Sequence, residues 1–203
     1  MQINDTYKTL AEPAEEQLYK EKNSKFLGYA FPLVSEEEVK PILLTLRKQH
    51  PNAVHFCYAY QLGAEKISYR ANDDGEPSGS AGIPIYGQIQ SFGITNCLVV
   101  IVRYFGGVKL GVGGLISAYK TAAQLSLEAA TIIQKTIDVV YIAQFDYAHL
   151  NKVMRVIKER NLEILEQKMD MQCEICLSTR QSNEEKLLAA FENLYEIKLK
   201  KRA

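Results

Sequence analysis

The sequence supplies no long-range electrostatic field: Lys plus Arg and Asp plus Glu number 24 each, and the formal net charge is zero at pH 7. Net charge therefore draws the chain neither to nucleic acid nor to an anionic membrane, and any such contact has to rest on a local patch. Long apolar runs are missing as well. The longest is CLVVIV, Cys97 to Val102, far short of the roughly 18 residues of a membrane span. The opening MQINDTYKTLAEPAEE has neither the basic nor the apolar region of a secretory leader. The expected place is the cytoplasm, with no membrane association. Four cysteines without a secretory signal read as free thiols. Only Cys173 and Cys176 have a suggestive spacing, yet Met171, Cys173, Ile175 and Leu177 alternate with Gln172, Glu174, Cys176 and Ser178, the period of a half-buried strand. Residues three apart on a strand face opposite sides, so the two sulfurs diverge. No second CxxC completes a four-thiolate site, and no metal and no cofactor are expected.

What is present is an ordinary globular composition, 47% hydrophobic and 24% charged over 203 residues, enough for one core or two. The first part reads as mixed α/β. SKFLGYAFPLV is a strand, and SEEEVKPILLTLRKQH a helix opened by Ser35 as N-cap with Glu38 three residues on. AVHFCYAYQLG and EKISYRAND form a hairpin, and GIPIYGQIQSFG a helix stopped by Gly93. TNCLVVIVRYF is a central strand, too apolar for an edge, and an Ala/Leu-rich helix follows. From about Ile137 the pattern changes: strand 137–146, helix 147–160, strands 162–169 and 171–179, helix 183–194 and strand 195–201 spell the β-α-β-β-α-β order of a ferredoxin-like unit. The expected domains are 1–136 and 137–203, and the expected class is α+β.

Two stretches carry the functional information. RANDDGEPSGSAGIP, Arg70 to Pro84, gathers Asp73, Asp74 and Glu76 among small residues. Placing Gly75 at the sixth position of an EF-hand puts Arg70 first and Ala81 twelfth, so the obligatory carboxylates are absent. Neither Ser78 nor Ser80 has the two flanking glycines of a nucleophile elbow. RYFGGVKLGVGGLISAYK places five glycines, Gly106, Gly107, Gly111, Gly113 and Gly114, between a buried strand and a helix. Free backbone N–H groups at a helix start bind anions, and Arg103 and Lys109 add charge. The stretch is neither a Walker A loop nor GxGxxG. The structural alternative is that the glycines only permit a tight turn with close packing. Of the three histidines, His55 lies on a strand leading back toward the acidic loop and is the one candidate for a site.

NDDGEPSGSAGIPI and VIVRYFGGVKLGVGGLISAYKTAA, with HFCYAYQLG ahead of them and NSKFLGYA near the start, together resemble the IMPACT/YigZ family, over essentially the whole chain. The resemblance implies an N-terminal left-handed βαβ domain, like the second domain of a ribosomal small-subunit protein and the GHMP kinases. It also implies a C-terminal ferredoxin-like domain similar to the last domain of elongation factor G, as in bacterial two-domain members. Eukaryotic members act as translation regulators, so the expected partners are RNA, the ribosome or a translation-regulatory protein. The resemblance marks both loops as signature segments. With His55 from its strand position, the expected site contains His55, Asp73, Asp74, Glu76, Ser78, Arg103, Gly106, Gly107, Lys109, Gly111, Gly113 and Gly114, with the acidic and basic loops as neighbours on one face. If Arg103 is instead locked to an acidic loop residue, the loops are architecture. No catalytic residue is named; the alternative function is an enzyme acting on a nucleotide or a phosphorylated small molecule, by fold analogy.

Overall fold

A computed structural model describes residues 5–202. In chain order the elements are β1 (Thr6–Leu10), β2 (Gln17–Glu21), β3 (Ser24–Pro32), α1 (Val39–Gln49), β4 (His55–Leu62), β5 (Ser68–Asn72), α2 (Gly82–Phe92), β6 (Cys97–Tyr104), α3 (Gly111–Glu128), β7 (Ile132–Thr136), β8 (Asp138–Asp146), α4 (Leu150–Arg160), β9 (Glu163–Met169), β10 (Gln172–Arg180), α5 (Glu184–Phe191) and β11 (Lys198–Lys201). The chain divides into two compact, sheet-containing units, one spanning Tyr7–Lys135 and one formed by residues from Thr136 onward. Asp5 and Thr6 cluster with the latter, outside the first unit in which the 1–136 boundary had put them. No helix among the described residues is long and apolar enough to cross a membrane.

The first unit is built on a five-stranded sheet in the order β2-β3-β6-β4-β5, with every neighbouring pair antiparallel. Because β3 and β4 both run opposite to β6, they are parallel to each other, and α1 makes the crossover of a βαβ unit. The central strand β6 is buried from Cys97 to Arg103. Period-2 alternation sends Cys97, Val99 and Ile101 into the layer under α2 and α3, and Leu98, Val100 and Val102 into the layer under α1. The expected central strand is thus present, feeding two cores. β1 pairs with β7 in a separate two-stranded sheet.

Local departures from the sequence expectation have local causes. Ser35 caps only a 3₁₀ turn, Glu36–Glu38, without a side-chain bond, and the α-helix starts at Val39. Pro41 then falls in its first turn, where a missing N–H leaves no bond unmade. Strand β2, which precedes the expected strand SKFLGYAFPLV and was not expected, pairs with β3 in a hairpin whose turn residues Lys22 and Asn23 take φ of 43° and 66°, the two left-handed positions of a type I′ turn. α3 lies close on β3 at Gly28, where an added Cβ would stand 2.0 Å from Ser126 Oγ and 3.0 Å from the Ala122 carbonyl oxygen.

The second unit has the sheet order β11-β8-β10-β9, all antiparallel, which is the ferredoxin-like split βαβ arrangement. Its helices are shorter than the 147–160 and 183–194 expected, because 3₁₀ turns take the first residues of each and α5 stops at Phe191. Cys173 lies in the core under the helices, whereas Cys176 lies on the opposite face with Arg202 Nη1 at 3.5 Å from its sulfur. A half-buried clamp joins the start of the chain to this unit: Arg180 donates through Nε and Nη2 to the Asp5 carboxylate at 2.6 Å each, and Ser182 N–H donates at 3.1 Å. Those bonds, the Arg180 pair first, hold the Asp5 carboxyl below the usual carboxylate range.

Two outcomes follow. Gly28→Ala should lower stability by about 1–3 kcal/mol through overpacking, measured by denaturant melts. Since the Asp5 pKa is depressed on folding, its contribution is complete above the ordinary carboxylate value of about 3.9 and is lost as pH falls below it. The melting-temperature advantage of wild type over Asp5→Asn should therefore shrink on acidification, and a gap independent of pH would refute the clamp.

Candidate functional site

The alternation that buries Val99 and Ile101 carries Arg103 into the same layer at the end of β6, directly opposite Phe26 of β3 and His55 of β4. Arg103 is 5% exposed, and its guanidinium carbon lies 5.4 Å from the Phe26 ring centroid and 5.7 Å from that of Phe105. A charge so placed requires a counter-charge. The loop between β5 and α2 delivers it: Arg103 Nη1 donates to Glu76 Oε1 at 2.5 Å, and the hydroxyl of Tyr119 on α3 donates to the same oxygen at 2.8 Å. His55 Nε2 stands 3.9 Å from it. Arg103 Nε is buried and has no partner among the described residues.

The rest of the acidic loop holds the Glu76 segment in place. Asp73 accepts the N–H groups of Gly79, Ala81 and Gly82 at 2.8, 3.0 and 2.8 Å. It thereby caps α2 from a distance and neutralises the positive end of that helix. Asp74, at φ 42°, accepts Phe56 N–H at 2.7 Å and Arg47 Nη2 at 3.0 Å. Its carbonyl oxygen lies 2.7 Å from His55 Nδ1. A carbonyl only accepts, so Nδ1 carries the proton and Nε2 is the nitrogen that faces Glu76.

These contacts leave an open cleft of about 470 Å³ whose ionisable lining is His55, Glu76, Arg103 and Lys109. The remaining walls are mainly apolar, from Val54, Pro77, Phe105, Leu110, Val112 and Leu115, with Gly111 at the start of α3. The expected residues therefore separate. His55, Glu76, Arg103, Lys109 and Gly111 line the cleft. Asp73 and Asp74 do not, because their carboxylates are consumed by backbone N–H groups and by Arg47. Ser78 is exposed outside the lining. Gly106 serves packing: an added Cβ would lie 2.1 Å from the Asn23 carbonyl carbon, and its N–H donates to Ser24 Oγ at 3.2 Å. Gly114 sits against Leu110 at 3.1 Å, whereas Gly107, Gly111 and Gly113 meet nothing within 4 Å where a Cβ would stand.

The Impact N-terminal domain model matches residues 22–127, more than half of the chain and all of the cleft. The chain belongs to the IMPACT family. IMPACT family member YvyE of Bacillus subtilis is 34% identical over 154 residues, 76% of this chain and 70% of that one. IMPACT family member YigZ of Escherichia coli is 33% identical over 146 residues, 71% and 72% of the two chains. A crystal structure described as a hypothetical protein superposes at TM-score 0.74 over 97% of each chain, at 24% identity, and shares the fold.

Sequence reasoning missed Tyr119, Cys57 and the apolar walls of this IMPACT cleft. Tyr119 sits in an Ala/Leu-rich helix at a spacing that signals core, and only its 2.8 Å bond to Glu76 gives it a polar task. Cys57 Sγ lies 3.3 Å from the Tyr119 hydroxyl and 3.0 Å from the Asp73 carbonyl, and burial pushes its thiol above the ordinary range. That disfavours the thiolate a nucleophile requires. The side chains of Arg103 and Glu76 are 6% and 4% exposed, so Glu76→Ala should cost roughly 3–5 kcal/mol by leaving a buried guanidinium uncompensated. Glu76→Gln combined with Arg103→Met should cost clearly less than Glu76→Ala in the same chemical melts. Additive losses would mean the pair is not coupled.

Proposed function

We propose that this IMPACT-family chain is a translation-associated regulatory binding protein whose cleft between β6 and α3 contacts the ribosome, RNA or a regulatory protein. The observation that carries the reading is the composition of that cleft: a fixed ion pair at the floor, apolar walls open to solvent, and no activated nucleophile among the described residues. Phe105 is 49% and Val112 54% exposed, so about half of each apolar side chain stays open to solvent. The family's role in translation, carried by its eukaryotic members, supplies the biological setting.

A second reading, an enzyme acting on a nucleotide or phosphorylated small molecule, draws on the α3 N-terminus and Lys109, which suit an anion. It finds less support, because the one other cation of the cleft is already matched by Glu76.

A tagged chain incubated with bacterial lysate at mild salt should enrich ribosomal particles or translation factors over a tag-only control, read by mass spectrometry. Phe105→Ala with Lys109→Ala, both at exposed positions, should reduce that capture about tenfold, the change expected from loss of one anchor, at unchanged melting temperature. Enrichment that is absent, or indifferent to the paired substitution, would overturn the reading.

A further inference from the structure

The chemistry of the cleft restricts its occupant further. Of its lining residues, Val54, Pro77, Phe105, Leu110, Val112 and Leu115 are apolar, so most of the contact surface asks for an apolar group. At about 470 Å³ the space falls within the roughly 300–1,000 Å³ of small-ligand sites. That is ample for one large side chain with its own backbone. The polar part is equally specific. Arg103 and Glu76 cancel, His55 donates its Nδ1–H to the Asp74 carbonyl, and Lys109 has no ion-pair partner among the described residues, so Lys109 is an uncompensated cation in the lining. Arg103 Nε, buried beside the cleft, is a donor without an acceptor, and such a group is costly to leave unmade. Gly111 and Val112 bring to the same wall the first turn of the 18-residue helix α3, whose N–H groups have no partner within the helix. One lining thus holds a cation, the start of a helix and an arginine with an unmatched donor, next to a greasy slot, a set that suits a single anionic acceptor.

We infer that the cleft receives the C-terminal residue of a protein partner, with an apolar side chain between Phe105, Val112 and Leu115 and the terminal carboxylate between Lys109, the α3 amides and Arg103. The inference rests on the cleft being the binding face proposed above. A nucleic acid fits these walls less well: it would bring a row of phosphates to a site with one uncompensated cation and one exposed aromatic ring, where strand-binding grooves combine many cations with several stacking rings. A peptide terminus matches both halves, since capture of a C-terminal carboxylate by backbone amides is an established recognition mode.

The test is fluorescence anisotropy on the full chain with labelled hexapeptides that differ only at the end: a free-acid Leu terminus, the same peptide amidated, and a free-acid Asp terminus, beside a labelled oligouridine. The free-acid Leu peptide should bind. Amidation and the Asp terminus should each weaken binding about tenfold or more, as expected for loss of a charge-assisted contact or of the apolar anchor. Lys109→Ala and Val112→Asp, at exposed positions that leave the melting temperature unchanged, should weaken it likewise. Equal binding of acid and amide overturns the carboxylate assignment. Binding of oligouridine in place of the peptides overturns the inference and leaves the binding function standing. No peptide binding up to about 1 mM, the weak end of specific recognition, also overturns it. The lysate capture experiment then shows independently whether the function falls too.

Discussion

A guanidinium enclosed at the end of a central strand dictates much of what surrounds it. Arg103 occupies a layer whose buried members include Phe26, Val99, Ile101, Leu115 and Tyr119, where an unpaired charge would be intolerable. The loop after β5 therefore has to return to this spot with a carboxylate, and Tyr119 has to bring its hydroxyl to the same oxygen. Because Glu76 is needed at one place, the residues before and after it are needed too. Asp73 ties the far side of the loop to α2, and Asp74 ties the near side to β4 through Phe56 N–H and to α1 through Arg47. Three carboxylates that look like a metal loop in the sequence are three separate anchors.

That arrangement relates architecture to function without making them rivals. Locking Arg103 to Glu76 matches two charges against each other, and what the cleft still offers is Lys109, His55, Arg103 Nε, the start of α3 and an apolar wall. In this IMPACT chain the acidic loop braces through Asp73 and Asp74 and also sends Glu76 and Pro77 to the cleft wall, while the glycine-rich segment adds Lys109 and Gly111 to the same lining.

Much of this was legible beforehand. CLVVIV identified the central strand because no edge strand tolerates such a run, and the change of period at Ile137 identified the ferredoxin-like order. Alternation at Cys173 and Cys176 foretold sulfurs on opposite faces. The misses have physical reasons. Lys22 and Asn23 make a tight turn through backbone conformation that their side chains barely advertise. A hydroxyl such as that of Tyr119 is invisible in an apolar helix until its acceptor, 43 residues away, is folded against it. Equally, nothing in Asp73 or Asp74 declares that their oxygens will be spent on N–H groups rather than left to a ligand. Long-range contact decides that, and single-sequence pattern reports only short-range preference.

The two-sided burial of β6 has a consequence for how the protein can vary. Val99 and Ile101 answer to α2 and α3, while Val100 and Val102 answer to α1, and no side chain on the strand serves both. Substitutional freedom is accordingly partitioned: the α1 layer can be repacked through compensating changes that never reach the ion pair, whereas the opposite layer shares its last position with Arg103. An even-numbered substitution on this strand therefore disturbs one core alone, whereas an odd-numbered one also bears on the layer that encloses the charged pair.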